Sequence, residues 1–276
     1  MAPMHVLSIG GSRHSGYWSA VRLLEQGSTV SFLLRRPSVF DEDPVIQKFV
    51  RSGAARLIKG DAKKEEDMAH AWEQAGIVDA VIFSVGGAPE WSLTKGLIID
   101  PNLVAGCMLC VLRSMPIYDN AQPPKFVAIS TTGLGPVAHK ALPTLIKPLY
   151  SALATPHYDK IGMEQVLAYC AGRPLDPSHG EPRVEVLGEN WTQRLPPPGT
   201  LKHRVLVVRP ALLTNGKCMA DELEVKGKGK GKAPYRASAE ELHAYTISRK
   251  DVAHFVVNAL GRWDEFEGKY AVNVGY

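Results

Sequence analysis

One pattern in the first 36 residues constrains this chain more than anything after it. His5–Gly11 (HVLSIGG) is a short apolar run closed by glycine. Thr29–Leu34 (TVSFLL) is a second, closed by Arg35 and Arg36. Between them, Tyr17–Gly27 carries apolar residues at helical spacing. Strand, glycine turn, helix, strand is the opening unit of a parallel sheet, because parallel neighbours need a crossover long enough for a helix.

The turn reads Gly10-Gly11-Ser12-Arg13-His14-Ser15-Gly16. Gly10 and Gly16 suit a tight turn and a close approach of helix to strand. The position between them is filled by Arg13 or His14, depending on the alignment, rather than by glycine. In this context the turn is expected to hold the diphosphate of a dinucleotide at the start of the helix. Arg35 and Arg36 stand where an acidic residue would otherwise accept the ribose 2′-hydroxyl, so they point to a 2′-phosphate and to NADP(H) over NAD(H). Arg13 is a third cation for that phosphate. A solvated basic edge is the bland alternative for each of the three.

Strands and helices then alternate, which predicts an α/β fold: a Rossmann-type, doubly wound, mostly parallel sheet. Strands are expected at Ala55–Lys59, Asp79–Val85, Lys125–Ile129, Val205–Val208 and Tyr270–Val274. Helices are expected at Glu65–Ala75, Asn102–Ser114, Thr155–Cys170 and Asp251–Leu260, with Asp159 in the first turn of the third. One domain spans 1–276, with excursions at 171–203 and 217–246. The first excursion is read with a short strand at Arg183–Leu187. The second contains Lys226–Lys232 (KGKGKGK) and is expected to form a small substrate lid.

Ligands of such sheets bind beyond the carboxyl ends of the strands. Six such ends carry polar or glycine-rich residues: Gly10–Gly16, Arg35-Arg36, Asp61-Ala62, Gly86-Gly87, Ser130–Thr132 and Pro210–Thr214. Asp61 reads either as an acceptor for the adenine amine or as a helix cap. Gly86 and Gly87 read as a close pass of the cofactor or as a plain turn. Trp91, Leu93, Leu97, Leu134, Leu212, Leu213 and Tyr235 would suit a lipophilic substrate, and each could equally be core.

Composition narrows the class. The chain has 276 residues, 45% of them hydrophobic, and a net charge of +4, too mild to imply nucleic acid. No apolar run is long enough to span a membrane. The first strand starts too close to Met1 to leave room for a leader, so a cytoplasmic location is expected. Four cysteines fit reduced thiols, and Cys107-x-x-Cys110 lies in an apolar helical stretch that reads as core rather than as a metal or redox site. The partner expected is a small-molecule substrate, and the protein is expected to be a monomer or homodimer.

Taken together, IGGSRHSG (Ile9–Gly16), LLRRPS (Leu33–Ser38), KGDA (Lys59–Ala62), VAISTTGLG (Val127–Gly135), DKIGMEQ (Asp159–Gln165), VVRPALLTNG (Val207–Gly216) and ISRKDVAHFV (Ile247–Val256) resemble the atypical short-chain dehydrogenase/reductases of the NmrA-like, NAD(P)-binding group. The resemblance implies that Gly10, Ser12, Arg13, His14 and Gly16 hold the diphosphate and adenosine side. It places Arg35 and Arg36 at the 2′-phosphate and Gly86 along the cofactor. Ser130 and Thr131 fall near the nicotinamide, Lys160 at its ribose, and Pro210–Leu213 at the carboxamide. Ile247–Asp251 would close the domain. The group includes reductases, epimerases and regulators that bind the dinucleotide without turning it over.

Related enzymes use Tyr-x-x-x-Lys, one helical turn apart. Here the position four before Lys160 is Pro156. Tyr158, two residues before the lysine, lies about 200° around the helix and cannot share its face. His157, three residues before, does share it and can exchange a proton near neutral pH. Two mechanisms follow. His157 donates the proton while Ser130, Thr131 or Thr132 binds the substrate oxygen. Alternatively, the fold positions the reactants and solvent supplies the proton. Lys160 also has Glu164 one turn on, which offers a plain surface ion pair. The activity expected is NADPH-dependent reduction of a carbonyl, quinone or activated double bond. The rivals are a non-catalytic redox-sensing regulator and a cofactor-retaining isomerase or epimerase.

Overall fold

The computed structural model describes residues 2–87, 90–92, 96–98, 100–118, 121–135, 140, 154–225 and 233–276. The first half runs β1 (His5–Ile9), α1 (His14–Glu25), β2 (Thr29–Leu34), α2 (Pro44–Arg51), β3 (Ala55–Lys59), α3 (Glu65–Ala75) and β4 (Ala80–Phe83). A hairpin of β5 (Glu90–Ser92) and β6 (Gly96–Ile98) precedes α4 (Leu103–Arg113) and β7 (Lys125–Ile129). Then come α5 (Ala154–Cys170), α6 (Val184–Leu187), β8 (Val205–Pro210), β9 (Leu212–Thr214) and α7 (Met219–Val225). The chain ends with β10 (Arg236–Ser238), β11 (Thr246–Ser248), α8 (Arg249–Gly261) and β12 (Ala271–Gly275).

Eight strands form one sheet in the order β3-β2-β1-β4-β7-β8-β12-β10. All neighbours are parallel except β10, which pairs antiparallel with β12 at the edge. From β1 the chain builds outward through β2 and β3, then returns to add β4 on the other side. The helices leaving β1 and β4 therefore splay to opposite faces, and a crevice opens at the strand ends between them.

Successive residues of β1 serve opposite faces, as the pleat requires. Leu7 and Ile9 join Phe83, Phe126 and Ala128 under α3, α4 and α5. Val6 joins Phe32, Ile82, Val127 and Leu206 under α1 and α8. With both faces covered, the central strands are apolar throughout, and every residue of β8 is buried.

The sequence-level boundaries of β2, β3, α3 and β7 hold to the residue, and the others shift by one to three residues at an end. Two corrections stand out. Arg183–Leu187 is a turn of helix, α6, and not a strand: Leu187 N reaches Arg183 O at 2.9 Å and Gly188 N reaches Val184 O at 2.8 Å, so its amides are satisfied locally. The helix α2 was not anticipated, although Asp43 and Pro44 announce it. Asp43 accepts from the amides of Val45 and Ile46 at 3.0 Å, and Pro44 takes the first helical position.

The second excursion is tied to the scaffold where it is described. Ser248 caps α8 by accepting from Asp251 N at 2.9 Å, and Asp251 accepts from Met219 N at 2.9 Å, Ala220 N at 3.0 Å and the Tyr276 hydroxyl at 2.5 Å. Asp221 pairs with Arg22 of α1 at 2.5 Å. Tyr235 packs against Phe255 and hydrogen-bonds His254 at 2.8 Å, so it belongs to the layer around α8 rather than to a substrate pocket. Lys226–Lys232 lies outside the described residues, as do Leu93 and the side chains of Trp91 and Leu97.

Candidate active site at the strand ends

The turn after β1 runs against the end of β4. Gly10 has φ +84°, and a Cβ there would lie 2.7 Å from the carbonyl carbon of Ser84. A Cβ on Gly16 would lie 2.1 Å from Ser84 Oγ. These two glycines are demanded by packing against Ser84, whose hydroxyl donates to Ile9 O at 3.2 Å. His14 begins α1 with φ 58°, a strained value for a side-chain-bearing residue.

The start of α1 is bare. Arg13 in the cap position offers no side-chain acceptor, and no acidic residue sits in the first turn. The first amide N–H groups of the helix are thus left for an anion, which fits the dinucleotide's diphosphate. Burial, and then the charges of Arg249 and Arg13, lowers the His14 imidazole below its ordinary value. Ser12 is half-buried and Arg13 exposed, and Arg35 and Arg36 follow β2, both exposed.

Asp61 Oδ1 accepts from Lys63 N at 3.0 Å, and Asp67 Oδ2 accepts from Asp61 N at 2.8 Å. Asp61 therefore caps the turn before α3, while Lys64 occupies the helix cap without a side-chain bond. Ala62 packs against the core. Gly86 is exposed, and a Cβ there would meet nothing within 4 Å. Among the described residues no contact demands a glycine at that position.

Lys160 enters the crevice from the first turns of α5. Its Nζ donates to Val85 O at 3.0 Å and Ile129 O at 2.7 Å, bridging the ends of β4 and β7. Burial pulls its pKa down to about 8, against the raising effect of Asp159 and Glu164. The surface pair with Glu164 does not form. Glu164 is buried and accepts Ser130 Oγ at 2.5 Å, while Arg209 Nε lies 3.2 Å from both its oxygens. Tyr270 donates to Glu164 O at 2.5 Å.

That arrangement changes the role open to Ser130. A hydroxyl has one proton, and this one goes to Glu164, so Ser130 meets the crevice as an acceptor. Thr131 Oγ1 donates to Thr132 O at 3.2 Å, and Thr132 Oγ1 is buried without a partner. His157 is half-buried in the first turn of α5. Tyr158 packs elsewhere: the Arg183 guanidinium carbon sits 3.4 Å from its ring centre. Asp159 likewise departs from its expected place in its own helix. It accepts from Val104 N at 2.8 Å and Ala105 N at 2.8 Å, capping α4. Burial outweighs these bonds and raises its carboxyl pKa. Pro210 ends β8, and Leu213 in β9 pairs with Ile247 in β11.

The roles of Glu164 and Asp159, and the places of Arg209 and Ser84 in the site, were not legible in the sequence. A signal existed for Arg209, the one charge in the buried strand β8, which calls for a carboxylate partner. Cys107 is buried in α4, and burial pushes its thiol up to about 12, while Cys110 Sγ donates to Lys63 O at 3.3 Å. Among the described residues no His, Cys, Asp and Glu cluster could hold a metal, and no helix is long and apolar enough to cross a membrane.

The sheet order, the bare start of α1 and the lysine at the β4–β7 ends define a Rossmann-type fold with a crevice at the carboxyl ends of its strands. The chain is similar to "Reductase pytE" of Aspergillus terreus, 29% identical over 210 residues that cover 72% of this chain and 68% of that one. No protein-family model matches it. Among solved structures it superposes on an NADPH-bound short-chain oxidoreductase of Pseudomonas aeruginosa containing an atypical catalytic center. That match has a TM-score of 0.58 and 12% identity, covering 99% of this chain and 95% of the other. A short-chain dehydrogenase of Burkholderia cenocepacia in complex with NADP matches with a TM-score of 0.51 and 17% identity, covering 92% and 89%.

Proposed function

We propose that this chain is an NADP(H)-dependent oxidoreductase, NmrA-like in type, that reduces a carbonyl, quinone or activated double bond of a small lipophilic molecule. The observation that carries the reading is Lys160: an ammonium fixed by two strand-end carbonyls, with its third proton left for a ligand hydroxyl. The likeness to a reductase supports it. The cofactor, when bound, supplies the hydride. The amides at the start of α1 and the Gly10–Gly16 turn bind its diphosphate. Arg35 and Arg36 bind the 2′-phosphate, and Lys160 orients the nicotinamide ribose. Ser130, as an acceptor, takes a hydrogen bond from a donor on the ligand. No tyrosine shares the face of Lys160, and the Ser130 proton is engaged; of the two routes this reading takes solvent, rather than His157, as the source of the proton, with the protein contributing positioning.

The Ser130–Glu164 bond also favours a second reading, a regulator that binds NADP(H) without turnover. Calorimetric titration with NADPH, NADP⁺ and NADH, followed by NADPH oxidation against quinones, enones and aldehydes, separates the two. Selective binding with turnover is the expected result. Selective binding with no turnover on any acceptor supports the regulator, and no binding at all sinks both.

A further inference from the structure

The glycine turn carries Arg13 and His14 where a dinucleotide turn has its middle glycine, so its backbone alone is less suited to a close approach by a diphosphate. The fold brings another cation to the same place from the far end of the chain. Arg249 opens α8, and α8 lies along α1, with Lys250 Nζ 4.3 Å from the centre of the Trp18 ring. Arg249, the residue before Lys250, therefore lies where the start of α8 is packed on α1.

The bonding of Arg249 is unbalanced. Its Nη1 donates to Asn215 Oδ1 at 2.9 Å and Leu213 O at 3.3 Å, both neutral acceptors. Its Nε is buried and has no hydrogen-bond partner. It forms no ion pair among the described residues, whereas Arg22, Arg113, Arg194, Arg209 and Arg262 each have a carboxylate. A partly buried guanidinium with a spare N–H and no counter-charge, beside a helix start that lacks a cap, calls for an anion.

We propose that Arg249 is a binding residue for the diphosphate of the dinucleotide, a charge that offsets the missing middle glycine. The inference rests on the cofactor reading above, and it differs from that of Arg35 and Arg36 in what it recognises. The 2′-phosphate distinguishes NADPH from NADH, whereas the diphosphate is common to NADPH, NADH and ADP. Leu213 O and Asn215 hold the guanidinium in place, so the end of β9 sets its position.

The test is titration of the full chain and its Arg249→Met variant with NADPH, NADH and ADP at two salt concentrations. The expected result is about tenfold weaker binding of all three ligands, with a shallower salt dependence than wild type. A merely structural arginine would leave the salt dependence unchanged. Arg249→Gln, which keeps donors for Leu213 O and Asn215 but not the charge, carries the same expectation if the methionine variant misfolds. Unchanged affinities in a folded variant overturn the proposal. Loss confined to NADPH overturns it too, by moving Arg249 to the 2′-phosphate. Wild-type protein that binds none of the three sinks the cofactor reading itself, before any variant is compared.

Discussion

The carboxylate of Asp159 on α5 accepts the backbone amide of Val104 on α4 at 2.8 Å, so one helix is capped by a side chain of the next. The same residue adjoins Lys160, and the cap therefore sets where α5 presents its lysine. Asp159→Ala should destabilise the fold by about 2–3 kcal/mol, because two buried amides lose their acceptor, and Asp159→Asn by about 1 kcal/mol. Denaturant unfolding measures both. Equal stability of the alanine variant and wild type would show that the cap is unimportant.

Ser84 and Gly16 form a second test. A methyl on Gly16 would meet Ser84 Oγ at 2.1 Å. Gly16→Ala should cost about 1–3 kcal/mol through overpacking. Adding Ser84→Gly removes the obstructing oxygen and should restore part of that loss, although Gly10 O remains 3.0 Å away. A double mutant no better than the single would place the strain elsewhere.

Lys160 gives a pH signature. Burial lowers its folded-state pKa to about 8, from an ordinary value of about 10.4 in the unfolded chain. Below pH 8 both states are charged, and the fold bears the burden of a desolvated ammonium. Between pH 8 and the unfolded value the folded state sheds its proton first, so this burden eases as pH rises. Lys160→Met should raise the melting temperature by about 2–5 °C at pH 7, and the gain should shrink above pH 8. A gain constant from pH 7 to 10 would contradict the burial argument.

Arg35 and Arg36 are read as the 2′-phosphate site. Replacing both with alanine should weaken NADPH binding by about tenfold or more, roughly 1.5–3 kcal/mol, and leave NADH nearly unchanged. Equal losses for both cofactors in calorimetry would remove the assignment.

His157 and Tyr158 divide the two proton routes. With solvent as the proton source, His157→Ala should retain NADPH oxidation within a few-fold, measured by absorbance loss. Tyr158→Phe should be silent, because the ring rather than the hydroxyl meets Arg183. Abolished turnover in His157→Ala with intact cofactor binding would restore the histidine as the acid.

Local and periodic features were legible in the sequence: the glycine turn, the apolar strands of the doubly wound sheet, and the polar residues at six strand ends. Those follow from side-chain spacing of two or 3.6 residues and from backbone demands that act within a few positions. It could not say where the charged side chains would find partners. Lys160 and Glu164 are one turn apart, a spacing that allows a pair, yet Lys160 turns to carbonyls 75 and 31 residues away and Glu164 to Ser130 and Arg209, 34 and 45 residues away. Burial decides this: a desolvated charge takes whichever partner the packed elements bring within reach, and a nearby exposed pair is worth only a few tenths of a kcal/mol. The place of Arg249 at the start of α8 against α1 has the same origin, since only the packing of these two helices joins residues so distant in the chain.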